Sequence, residues 1–114
     1  MIKKSDEMKS EIRSKMRDGV GDVTLVHFFD KDDMAGKAKI AATLKIPAGG
    51  SIGMHVHDPD AELYLIANGV ALYNDNGTEY ELKAGDAAYT KPGEGHSISN
   101  IGDEILEVIA IVFE

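Results

Sequence analysis

Cysteine is absent from the chain. Its absence excludes a disulfide, a thiolate metal site and a cysteine nucleophile. Positive charge is also in short supply. Twelve lysines and arginines stand against 20 aspartates and glutamates, for a formal net charge of -8. Proteins that grip a phosphate backbone carry basic patches, so nucleic acid is not an expected partner. Arginine is the scarcest cation, present as Arg13 and Arg17 alone. Beyond residue 18 no guanidinium is left to clamp a carboxylate in two-pronged fashion. Long apolar runs are missing as well, and none would span a bilayer as a helix. The opening MIKKSDEMKSE lacks the apolar stretch of a secretory leader. We therefore expect a soluble cytoplasmic protein with no membrane partner. A length of 114 residues suits one domain that buries about two thirds of its unfolded surface.

What the chain does have is alternation and turn chemistry. Residues 1–18 are the exception: Met8, Ile12 and Met16 recur at a spacing of four, which predicts a short helix. Ser5 is placed to cap it, Asp6 and Glu7 sit in its first turn, and Gly19 and Gly21 would stop it. Residues 1–21 are thus read as a helix or arm ahead of a single domain over 22–114. From Val23 the period changes. VTLVHFF (23–29) reads as a strand, and KAKIAATLKIP (37–47) alternates with Ile40, Ala42, Leu44 and Ile46 on one face. AELYLIA (61–67) is apolar on both faces apart from Glu62, so a partner subunit is expected over its outer side. VALYNDNGTEYEL (70–82) is a hairpin around Asn and Gly, which supply positive φ. Short strands follow at 87–91 and 96–100, and an apolar strand at 104–113 closes the chain. Many short strands with frequent turns indicate an all-β sandwich or barrel.

The chemistry gathers in GGSIGMHVHDPDAELYLIANG (49–69). His55 and His57 stand two apart, so on a strand their side chains share a face. Glu62 arrives five residues later, on the next strand. A third imidazole, His96, sits in GDAAYTKPGEGHSISN with similar Gly and Pro punctuation. A His-x-His pair alone is weak, since such pairs are common on polar surfaces. Three imidazoles with one carboxylate suit a divalent ion such as Mn, Fe, Ni, Cu or Zn, with Mn or Fe favoured. An ion that prefers six ligands would keep two positions open for substrate or water. His27, alone in an apolar strand, is read as a core-edge or surface histidine.

The spacing also resembles a family. Gly49, His55, His57, Glu62 and Gly69 match G-x5-H-x-H-x4-E-x6-G, the first motif of the cupin superfamily. Gly85, His96 and Asn100 match its second motif, although Pro92 falls four residues before His96 rather than five and Gly95 lies directly beside it. The two motifs and their spacer cover 49–100. The resemblance implies a jelly-roll barrel of six to eight antiparallel strands, often dimeric, with His55, His57, Glu62 and His96 around one ion inside. It does not choose among the many activities the fold carries.

Candidates beyond the ligand set are few. Parity turns Tyr64 and Ile66 inward with Glu62, and Met54 falls at the rim. Tyr64 is one phenol in an apolar pocket and Tyr89 a second, though strand packing explains either. Glu94, in PGEG, is the first choice for an acid/base group over Asp58 and Asp60, which read as turn residues. Arg17 precedes the flexible stretch 18–21 and is placed to swing over the barrel mouth as a carboxylate clamp. The first functional expectation is a metal-dependent enzyme of dioxygenase, decarboxylase or isomerase type acting on a small oxygen-rich molecule. The alternative is a metal-loaded module that binds or senses a small molecule without turnover.

Overall fold

A computed structural model describes residues 1–114. It contains ten strands: β1 (Lys9–Ser14), β2 (Asp22–His27), β3 (Ala38–Ile46), β4 (Ser51–Val56), β5 (Ala61–Asn68), β6 (Val70–Asp75), β7 (Thr78–Lys83), β8 (Ala87–Thr90), β9 (Gly95–Asn100) and β10 (Leu106–Phe113). They form a six-stranded sheet, in the order β1-β2-β3-β10-β5-β8, and a four-stranded sheet, β4-β9-β6-β7. Every pairing is antiparallel. The all-β expectation holds, with ten strands where the resemblance implied six to eight. No helix is long and apolar enough to cross a membrane.

The two inner faces supply the core. Val23, Leu25, Leu44, Ile46, Tyr64, Ile66, Leu106, Val108 and Ala110 come from the larger sheet. Ile52, Ala71, Tyr73 and Ile98 face them from the smaller one. Alternation along each strand places these residues inward, as period two requires. The expected wall of β3 is present at Ala42, Leu44 and Ile46, while Ile40 is only half-buried beside a register shift at Val112/Phe113. The hairpin also folds as expected. Asn76 and Gly77 both take positive φ, the combination a two-residue hairpin turn demands. Asn100 binds the sandwich edge together. Its Nδ2 donates to Ile46 O at 2.9 Å and Glu104 O at 2.8 Å, and its Oδ1 accepts from Gly102 N at 3.0 Å.

The predicted N-terminal helix is not there. Residues Lys9–Ser14 are a strand, flanked by single 3₁₀ turns at Ser5–Glu7 and Met16–Asp18. Ser5 is not the cap either: Glu7 closes that turn by accepting from Lys4 N. An isolated helix of this length gains little in water. The open edge of β2 offers six register partners to β1 instead, from Lys9↔His27 to Ser14↔Asp22. The stripe that suggested a helix is divided: Ile12 is exposed, and Met16 packs on the core.

Candidate metal centre

His55 owes its orientation to a β-bulge. Ile52 pairs with Ile98 and His55 with His96, so three steps on β4 oppose two on β9. Ile52 is fully buried in the core. Without the extra residue, a side chain three positions later would face solvent; the bulge turns His55 back inward. Gly53, inside the bulge, supplies the carbonyl that holds the His55 ring. His57 lies just past the end of β4. Its backbone is fixed by His57 N to Glu94 O at 3.0 Å and by Gly93 N to His57 O at 2.6 Å. Glu62 enters from β5, in the opposite sheet, and His96 from β9. His57, Glu62 and His96 are buried, and His55 is half-buried.

The four donor atoms lie within 4.8 Å of one another. His96 Nε2 stands 3.1 Å from the Nε2 atoms of both His55 and His57 and 3.1 Å from Glu62 Oε1. His57 Nε2 is 3.0 Å from the same oxygen. Donors at about 2.1 Å from a common ion and at right angles would stand roughly 3.0 Å apart. These spacings fit that arrangement.

The opposite ring nitrogens are held in the sense a ligating histidine needs. His55 Nδ1–H donates to Gly53 O at 2.8 Å, and His57 Nδ1–H donates to Asp60 Oδ1 at 3.0 Å. Both acceptors lack a proton to give, so in the neutral form each of these rings leaves Nε2 as the unprotonated nitrogen facing the centre. His96 Nδ1 meets Tyr73 OH at 2.8 Å and Thr90 Oγ1 at 2.9 Å, either of which can accept. Asp60 is itself anchored by Lys39 Nζ at 2.9 Å. With the rings neutral, lone pairs and a carboxylate converge at 3.0–3.1 Å, an arrangement that either a proton or a metal cation relieves.

Titration behaviour follows from the same contacts. The Glu62 hydrogen bond raises the His57 pKa, against the effect of burial. Burial lowers that of His55. Burial opposes the Glu62 charge, yet hydrogen bonds from His57 and His96 outweigh it and hold its pKa below the ordinary value. Tyr64, stacked on His96 with centroids 5.0 Å apart, is pushed well up by burial and then by the Glu62 charge. Burial pushes Tyr73 up to about 12.

The remaining candidates are dispersed. Tyr64 lies inward beside the donors, as its parity predicts. Glu94 uses its carboxylate to accept from Lys91 N at 3.0 Å, closing the turn before β9. Tyr89 and Met54 are each 50% exposed. Arg17 sits at φ 54 in the turn Met16–Asp18. It joins no ion pair, and its charge adds to the lowering of the His55 pKa. His27 is half-buried, 2.7 Å from Glu11. Sequence reasoning overlooked Tyr73 and Thr90 and took Asp60 for turn solvation. Tyr73 alternates with Ala71 along β6, so its inward parity was readable. Its place behind His96 was not, because that depends on the register Tyr73↔Ile98 and Asp75↔His96.

Comparison with known proteins agrees with this geometry. The family model described as "Cupin domain" matches residues 42–112. A protein of Thermotoga maritima named "Oxalate-binding protein" is 40% identical over 112 residues, covering 98% of this chain and 93% of its own. The crystal structure of a predicted oxalate decarboxylase from Thermotoga maritima superposes with a TM-score of 0.95 at 40% identity, covering 99% of this chain and 98% of that one. KdgF from Halomonas sp. shares the fold at a TM-score of 0.79 and 13% identity, over 100% of this chain and 95% of its own. With the family model spanning well over half the residues and a relative at 40% identity along nearly all of them, the chain belongs to the cupin family.

Proposed function

We propose that this protein holds one divalent transition-metal ion on His55, His57, Glu62 and His96 and captures a small dicarboxylate of the oxalate class there. The observation that carries this reading is the convergence of four donors whose far sides are already tied to acceptors. Nitrogen and oxygen donors without sulfur suit Mn, Fe, Ni, Cu or Zn, and an ion that takes six ligands, such as Mn or Fe, would leave room for a two-pronged anion. The bound ion would supply a positive, Lewis-acidic point for oxygen donors. Three neutral imidazoles and one carboxylate leave a divalent centre with a net positive charge, which suits an anion. Arg17 is the second anchor in this reading, since it joins no ion pair and its backbone packs on Gly53, in the bulge that aims His55. The name of the 40%-identical relative supports this ligand class.

Capture without turnover is the reading the surroundings favour. The carboxylate of Glu94 is occupied by a turn, and burial keeps the Tyr64 phenol protonated. The phenol is not poised to trade protons near neutral pH, and the Glu94 carboxylate is committed to its turn. Catalysis is the second reading, favoured by the 40%-identical crystal structure described as a predicted oxalate decarboxylase.

The test begins with metal analysis of protein purified without chelator, where about one ion per chain is expected. Oxalate is then titrated calorimetrically into metal-loaded wild type, Arg17→Ala and His57→Ala. Binding should weaken roughly tenfold without Arg17 and vanish without His57. A metal-loaded protein indifferent to oxalate would overturn the ligand class, and unchanged metal content in His57→Ala would remove that residue from the set. Oxygen uptake or carbon dioxide release with oxalate would move the conclusion to the second reading.

We also infer a homodimer through the outer face of the six-stranded sheet, where Leu65 and Tyr89 stand exposed.

A further inference from the structure

Away from the four donors, a cavity of about 250 Å³ opens beside the β1–β2 hairpin. It is lined by Lys3, Lys9, Lys31 and Lys39, with His27, Phe29 and Asp30. Its lining carries four lysines and one aspartate, with Asp33, Asp60 and Glu114 beside three of the lysines, in a chain whose net charge is -8. The lysines come from four separate places: the N-terminal arm, β1, the β2–β3 connection and β3. Their concentration is therefore a product of folding rather than of a charged run.

Lys39 is held firmly, by Asp60 at 2.9 Å, but the pairs that hold Lys3 and Lys31 are loose. Lys3 is 3.8 Å from Asp33, and Lys31 is 3.3 Å from Glu114. Exposed pairs of this kind contribute little, so the ammonium groups are free to turn toward a better partner. Lys9 joins no ion pair at all. Phe29 gives the pocket an apolar wall, with Lys3 Nζ 5.5 Å from its ring centroid. Every cation lining it is a lysine. Lysines act as rotatable point charges, which is how an ammonium holds a phosphate group. The cavity is also smaller than the roughly 300–1,000 Å³ of ordinary small-molecule sites.

From these features we propose that the lysine cavity is a second ligand site, taking a compact, multiply charged phosphate anion. It shares no residue with the metal centre, so it stands whether or not that centre binds metal.

The probe is inorganic pyrophosphate, titrated by calorimetry and by NMR into the full-length protein, both metal-loaded and chelator-treated. Pyrophosphate should bind both forms and shift the ring signals of His27 and Phe29. Lys9→Gln/Lys31→Gln should weaken that binding roughly tenfold. Lys45→Gln/Lys83→Gln, with the same change in net charge, should leave it within about twofold. Lys39 is kept intact because it also anchors Asp60, the partner of His57. Binding that appears only in the metal-loaded form, or that falls equally in the two double variants, overturns the proposal, as does the absence of binding.

Discussion

Two side chains grip His57. Asp60 receives its Nδ1 proton, and Glu62 lies 3.0 Å from its Nε2. Partners behind a ligating histidine fix its tautomer, and their loss typically lowers metal affinity about 10–100-fold. Asp60→Ala should show a loss in that range by competition against a chelator. Asp60→Asn keeps an acceptor oxygen and should recover most of it, an outcome that simple loss of charge near the site would not give. Tyr73→Phe should cost less, because Thr90 Oγ1 remains 2.9 Å from His96 Nδ1. Acid should act through His57 first. Its pKa is raised by Glu62, while burial lowers that of His55. The raised value means that the His57–Glu62 pair stabilises the metal-free fold fully below the ordinary histidine value of 6.5. That contribution fades as pH rises through the raised value. Metal must displace the same proton, so affinity should already be falling on acidification at a pH above 6.5. Metal titrations at pH 8, 7 and 6 test this, and affinity that holds until well below 6.5 would count against it. Glu62→Gln should move the onset downward.

Among the elements, β4 and the Lys15–Gly21 turn depend on each other. A Cβ at Gly53 would collide with Arg17 O, and one at Gly19 would collide with Ser51 O. The backbones touch because neither residue has a side chain, and Ser51 Oγ adds a bond from Val20 N at 3.0 Å. This contact places Arg17 over the bulge that aims His55. Gly53→Ala should therefore lift the turn, with a cost of about 1–3 kcal/mol in unfolding free energy. Oxalate affinity should fall while metal content is retained, and amide exchange should quicken over residues 15–21. The same region marks where sequence reading stopped. His55, His57, Glu62 and His96 were legible because ligand spacing along two neighbouring stretches is a local property. Inward parity of Tyr64 and the Asn76–Gly77 turn were legible for the same reason. The arm was not: Met8, Ile12 and Met16 have helical spacing, yet the open edge of β2 decided the outcome. The bulge left a trace in Gly53, since glycine inside a strand often marks one. The contact between Gly53 and Arg17 joins residues 36 positions apart and had no local sign.

For the whole molecule, the outer face of the six-stranded sheet is the feature that a single copy leaves unexplained. Two rows of side chains cross it. Register joins Val26 to Thr43, Ile109, Leu65 and Ala87, and joins Ala41 to Ile111, Leu63 and Tyr89. Leu65 is 39% exposed and Tyr89 50%. A contiguous apolar patch over several strands is uncommon on a monomer, and one patch facing its own copy closes as an isologous pair. The inner neighbours of these residues, Glu62 and Tyr64, line the candidate metal centre, so the face and the candidate site share β5 on opposite sides. Light scattering should accordingly report twice the 12.3 kDa chain mass at micromolar concentration. Leu65→Lys/Ile109→Lys should halve it, because each chain would bury unpaired charge at the centre of the contact. Metal content should survive that substitution, since both changed side chains point away from the donors. A wild-type protein that scatters as a single chain would remove the dimer and leave the metal centre, formed wholly within one copy, unaffected.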